Sequence, residues 1–182
     1  PLAQAGAAVF LIYALQNIFG FGPTLAGVIG AVMAITWSTT AILVASVSET
    51  ARPGLIRLGP VLLVAGLALL AIAFAIGQLP FVILAQILIG AAYGTSWAYT
   101  SQTIMEAARP GERDRASALL PTIQSAGYGI GAAIAGLIAN TAGIASAQTT
   151  QQLTAALVIT FALCAVLSLP AVAAARAMTI KS

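Results

Sequence analysis

The chain has 182 residues, of which 60% are hydrophobic and only 6% charged, with a mean hydropathy of +1.04 and a net charge of +3. A soluble domain carries roughly 25% charged residues, so a water-soluble globular fold is excluded, and seven cations scattered over three segments form no basic patch for nucleic acid. With no histidine and the single cysteine Cys164 inside an apolar run, a histidine-based catalytic or metal centre and an internal disulfide are excluded as well, and no cofactor is expected.

A membrane-crossing helix needs about 20 mostly apolar residues, and the sequence predicts six of them. They cover residues 2–20, 23–47, 58–77, 80–105, 116–141 and 150–175. The first two meet at Gly20-Phe21-Gly22-Pro23, a tight turn whose proline sits near the start of the next helix, where no amide hydrogen is needed. Gly77-Gln78-Leu79-Pro80 repeats the device between the third and fourth. Ala51-Arg52-Pro53-Gly54 and Ala108-Arg109-Pro110-Gly111 read as helix stops followed by charged loops. Residues 141–152 are polar but uncharged and read as an exposed connection. The apolar runs are about twice the length of a membrane strand and show no alternation, which excludes a β-barrel. The chain opens at Pro1 and enters an apolar run without a charged leader, so it is read as a segment of a longer protein.

The charges fix an orientation. Arg52 and Arg57 lie between the second and third helices, Arg109, Arg113 and Arg115 between the fourth and fifth, and Arg176 and Lys181 after the sixth. The connections after the first, third and fifth helices hold no Lys or Arg. The positive-inside rule makes the charged face cytoplasmic, so both ends of this segment are expected there, most simply in a bacterial inner membrane. The acids Glu49, Glu106, Glu112 and Asp114 lie on the same face, where ion pairing with the arginines is the expected role of Glu49 and Glu106.

Two further patterns concern the helix faces. Small residues cluster where helices meet in lipid: Gly90 and Gly94, Gly127 and Gly131, and Ala26, Gly30 and Ala34 recur at four-residue spacing. They fit plain packing, or helices that also slide against a partner. Polar residues inside spans tend to face a bundle interior or a water-filled cavity. Candidates for a solute cavity are Tyr13, Gln16 and Asn17 in the first helix, Thr36, Trp37 and Thr40 in the second, Gln86, Tyr93, Trp97 and Thr100 in the fourth, and Gln124 and Tyr128 in the fifth. Gln86, Tyr93, Trp97 and Thr100 are expected near one helix face. Each could equally be structural: aromatic rings anchor span ends, and hydroxyls bond a carbonyl four residues back. The third and sixth helices are nearly bare of such groups and read as lipid-facing braces. No carboxylate, lysine or histidine sits in mid-membrane, so a proton-coupling residue is not expected in this chain.

Several motifs together resemble the C-terminal half of a major facilitator superfamily transporter, in particular its multidrug-efflux branch. Leu15-Gln16-Asn17-Ile18-Phe19-Gly20 followed by Gly22-Pro23-Thr24-Leu25-Ala26-Gly27 looks like the junction of that family's seventh and eighth helices. Ser48-Glu49-Thr50-Ala51-Arg52-Pro53-Gly54-Leu55-Ile56-Arg57 is similar to a degenerate copy of its loop signature G-x-x-x-D-R-x-G-R-R, without the leading Gly and the Asp-Arg pair. Arg113-Asp114-Arg115-Ala116-Ser117 with Gln124-Ser125-Ala126-Gly127 looks like the start of the eleventh helix. The resemblance implies an all-α membrane fold of six helices in two inverted three-helix repeats, 1–77 and 80–176. The first helix of each repeat would line a central cavity, the second would flank the other half of the transporter, and the third would be peripheral. It further implies an N-terminal six-helix half as partner, alternating access, a small organic solute and possible proton coupling. Glu49, Arg52, Arg57, Arg109, Arg113, Asp114 and Arg115 become candidate gating residues. Efflux of drug-like compounds is the leading expectation; an uptake permease for a sugar, nucleoside or organic acid, and a non-transporting six-helix scaffold, are the alternatives.

Overall fold

The computed structural model describes residues 1–106 and 111–180. Six helices follow one another: α1 (Leu2–Ile18), α2 (Pro23–Val44), α3 (Arg52–Ile76), α4 (Leu79–Glu106), α5 (Arg113–Thr141) and α6 (Thr150–Ile180). Single 3-10 turns at Glu49–Ala51 and Ile144–Ser146 precede α3 and α6, and there is no strand among the described residues. The all-α membrane architecture expected from the apolar runs is therefore observed. Five helices, α2 to α6, are long and apolar enough to cross a bilayer. The 17 residues of α1 rise about 26 Å at 1.5 Å each, a little short of a hydrocarbon core of about 30 Å.

The charged segments differ from the expectation. Arg52-Pro53-Gly54 begins α3 rather than ending α2, because proline in the first turn needs no amide partner. Arg57 thus lies inside α3, Arg113, Asp114 and Arg115 form the first turn of α5, and Arg176 lies in the last turns of α6. Helical residues without intrahelical partners for their amides can carry charge at a membrane face as well as a loop can. Arg109 and Lys181 lie outside the described residues. At the other face, α3 ends on Gly77, whose φ of +66° is left-handed; its N–H bonds back to Ala73 and Phe74.

Packing follows a regular plan. Helix α4 lies against α2 and α3, α1 lies against α5 and α6, and α3 lies against α6. Exchanging α1, α2 and α3 for α4, α5 and α6 turns this plan into itself. Two buried clusters mark the ends. Phe19 stacks on Phe21 at 5.6 Å and meets Phe74 at 5.7 Å, and Phe74 stacks on Phe161 at 5.4 Å, all toward the end without charges. Ile56, Tyr99 and Ala175, with Val44 and Leu55, gather toward the charged end and bring the ends of α2, α4 and α6 beside the start of α3.

Helices α3 and α6 are not merely braces. Phe74 and Phe161 are the largest fully buried side chains, and one face of each helix builds the core of this unit while the other stays exposed. A census of polar residues is blind to this, since apolar packing leaves no polar mark. Helices α2 and α5 are the least covered, with Val28, Ile35 and Ile42 on one and Ile123, Ile130 and Leu137 on the other all exposed at seven-residue spacing.

Candidate solute cavity and charged-end latch

Close approach of α2 and α4 sets the site. A Cβ on Gly94 would stand 2.7 Å from the Trp37 carbonyl oxygen and 2.6 Å from the Thr40 Cβ. Gly90 likewise faces the Met33 carbonyl and Thr36. Thr36 and Thr40 are therefore knobs seated over the two glycines, which is the packing reading of that spacing. Gly127 and Gly131 do the same for α5 by receiving Pro1 and the Leu2 backbone at the start of α1.

With the helices so close, a cavity of about 230 Å³ remains between α1, α2 and α4. Ala7, Leu11, Gly27, Gly30 and Ile89 supply apolar walls; Gln4, Met33 and Gln86 supply the polar atoms. Gln4, only 2% exposed, is held at both ends of its carboxamide. Its Nε2 donates to the Met33 sulfur at 3.2 Å, and the Tyr128 hydroxyl donates to its Oε1. One side chain thereby ties α1 to α2 and α5. Gln86, 3% exposed, lines the same cavity with no hydrogen-bond partner among the described residues.

A second pocket of about 130 Å³ lies further along α4, between it and α3. It is lined by Gly59, Pro60, Leu63, Tyr93, Ser96 and Trp97, with Pro1 and Ala171 at its margin. Tyr93 is 7% exposed, its ring lies 5.3 Å from that of Trp37, and its hydroxyl has no partner. Gln86 and the Tyr93–Trp97 pair, expected on one face of α4, thus serve two separate pockets. Thr95 and Ser96 bond the carbonyls of Ala91 and Ala92, satisfied within their own helix.

The remaining candidates are more dispersed. Gln16, Thr100 and Gln124 are half-buried, whereas Tyr13 and Asn17 are exposed. The Asn17 amide donates to the Tyr13 carbonyl at 2.8 Å, within α1 itself. Gln4 and Met33 were not among the sequence candidates. Gln4 is an isolated amide in an apolar run, which is a usable signal, but Met33 has none until its sulfur is seen beside an amide donor.

At the charged end, Arg52 makes a latch. Its guanidinium lies 5.5 Å from the Tyr99 ring centroid and pairs with Glu49 at 3.4 Å. The Tyr99 hydroxyl donates to the Val44 carbonyl at the C-terminal end of α2, which also accepts the Val47 N–H at 3.1 Å. One aromatic residue of α4 thus joins the end of α2 to the start of α3. The Glu49 carboxylate is itself largely exposed, so the ion pair adds little by itself. Gln102 donates to Glu106 at 2.8 Å on the last turn of α4. Arg113, Asp114 and Arg115 are exposed. No cluster of metal-binding side chains exists among the described residues.

Comparison with known proteins agrees with the all-α membrane fold. Residues 2–180 match the Major Facilitator Superfamily. Proteins named probable multidrug-efflux transporters in two strains of Mycobacterium tuberculosis are 29% identical over 133 residues, or 70% of this chain. The alignment takes in 28% of those relatives' length, so the chain spans well under half of each. No solved structure matches. Six helices with apolar surfaces, a match along nearly the entire sequence and relatives from the efflux branch lead to one conclusion: the chain belongs to the Major Facilitator Superfamily and is an integral, multi-pass membrane protein.

Proposed function

We propose that this chain is the C-terminal half of a secondary transporter that exports small, amphipathic, drug-like solutes by alternating access. The observation that carries the reading is the cavity between α1, α2 and α4. It is walled by apolar side chains, carries carboxamide and thioether groups, and contains no charged residue. Such a lining suits neutral or weakly polar organic solutes and disfavours strongly anionic ones. The names of the relatives support efflux as the direction.

In this reading the helices form two inverted repeats, 1–77 and 80–176, which is supported by a packing plan that survives exchange of their helices. The exposed apolar faces of α2 and α5 then meet an N-terminal six-helix half. The cationic end faces the cytoplasm of a bacterial inner membrane. The titrating group for any proton coupling belongs to that N-terminal half, because the acids of the described residues all lie at one end. Gln86, Tyr93, Trp37 and Tyr128 are the residues nearest the solute path, and Arg52 with Tyr99 closes the cytoplasmic side.

The test is transport of an uncharged drug-like solute, tritiated chloramphenicol, by the full-length protein in proteoliposomes, with and without an imposed pH gradient. Gradient-dependent movement away from the cationic face is expected. Movement only toward that face would favour the uptake reading. No movement and no binding of any solute would remove the transporter reading for this protein.

A further inference from the structure

The cavity between α1, α2 and α4 holds two carboxamides that differ in availability. Gln4 is engaged at both ends: one of its N–H donors goes to the Met33 sulfur and its carbonyl accepts from Tyr128. Gln86 is equally deep, yet both its N–H donors and its carbonyl acceptor lack a partner among the described residues. A buried amide in apolar surroundings is stable only when something satisfies it. Gln86 lines the cavity together with Gly27 and Gly30, and a side-chain atom added at Gly27 would meet nothing within 4 Å.

Gln86 thus lines the cavity with both kinds of hydrogen-bonding group, N–H and carbonyl, unmatched by any described residue. The volume, about 230 Å³, falls below the range of about 300–1,000 Å³ typical of drug-sized sites. It holds one functional group and its apolar neighbour, not an entire large solute.

Building on the transporter reading, we infer that this cavity is the subsite for an uncharged group presenting a hydrogen-bond donor and acceptor side by side: a lactam, primary amide or terminal urea. Gln86 pairs with it on both edges, as one amide pairs with another. An ester, which accepts but does not donate, satisfies only half of Gln86. A carboxylate or ammonium group meets no countercharge from the residues lining the cavity.

The test compares 3,4-dihydroisoquinolin-1(2H)-one with 3,4-dihydroisocoumarin, a lactam and a lactone that differ by one N–H replaced by oxygen. Equilibrium dialysis of each, tritiated, against the full-length protein in nanodiscs, with empty nanodiscs subtracted, gives the two affinities. The amide is expected to bind about tenfold more tightly than the ester. Gln86→Leu, which keeps the size and removes the amide, is expected to abolish that preference. Gly27→Val, which fills the space and leaves Gln86 in place, is expected to weaken both probes. Equal binding of the two probes, or a preference that persists in both variants, overturns the inference. Chloramphenicol transport by the same proteins reconstituted in proteoliposomes separates the two claims: transport without amide preference removes this subsite and keeps the transporter. Amide preference without transport keeps the subsite and removes the transporter.

Discussion

At the level of single residues, the glycines and the buried amide carry most of what is specific. A side chain at Gly94 has no room against the Trp37 carbonyl and Thr40. Gly94→Leu is expected to lower stability by about 1–3 kcal/mol, the usual cost of overpacking, read as a lower unfolding temperature in detergent. Gly27→Ala meets open space and removes the helix penalty of glycine, so stability should be unchanged or rise by up to about 1 kcal/mol in the same assay. Tyr128→Phe leaves the Gln4 carbonyl without its donor inside the bundle. That change should cost about 1–3 kcal/mol. The double variant with Gln4→Leu should cost less than the sum of the two, since both partners are then gone; a strictly additive cycle would mean the pair is not coupled. The residues legible from sequence alone at this scale were the polar ones with an obvious address, such as Gln86, Tyr93 and Tyr128. Gln4 and Met33 emerged only when α1, α2 and α5 were brought together, because a thioether gains significance from its neighbours.

At the level of elements, apolar length determined the helices, and punctuation misled at the start of α3. Arg-Pro-Gly after α2 has the composition of a stop, but proline is equally suited to a first turn, and the 3-10 turn at Glu49–Ala51 absorbs the break instead. The core between α3 and α6 was invisible to a search for polar groups, as Phe74 and Phe161 look like any other lipid-compatible residue until they stack. The uncovered stripes on α2 and α5 lead to a prediction at this scale. In the full-length protein, Ile35→Cys and Ile130→Cys should each form disulfide cross-links with cysteines scanned along the N-terminal half. Ile72→Cys, on the exposed face of α3, should not. Cross-links from Ile72→Cys alone would move the interface to the other side of the unit.

At the level of the whole molecule, the distribution of charge and the packing plan meet. Two clusters cap the bundle, aromatic at one end and containing Tyr99 with Arg52 at the other. With the cationic end inside, a Gln148→Cys variant should react with a membrane-impermeant maleimide added outside intact cells, and a Glu112→Cys variant only after permeabilisation. Cys164 is buried and should stay unlabelled in both conditions, so it does not obscure the readout. Labelling of both engineered sites from the same side would break the topology. The Arg52–Tyr99–Val44 latch belongs to this scale too, since it joins three helices. Tyr99→Leu removes the ring and the hydroxyl together and should destabilise more than Tyr99→Phe, which keeps the stacking surface for Arg52.

The sequence by itself determined that this is a helical membrane protein, how many helices it has, and which end carries the charge. Those follow from local rules: about 20 apolar residues cross a bilayer, every backbone amide must be satisfied within the span, and cations stay at one face. It also pointed to the small-residue stripes and to most of the polar candidates. Only the tertiary structure decided which of those candidates share a cavity, that Gln4 is locked while Gln86 is free, and that α3 and α6 build a core. These depend on distances between helices far apart in the chain, and one helix face of apolar residues reads the same whether lipid or another helix covers it.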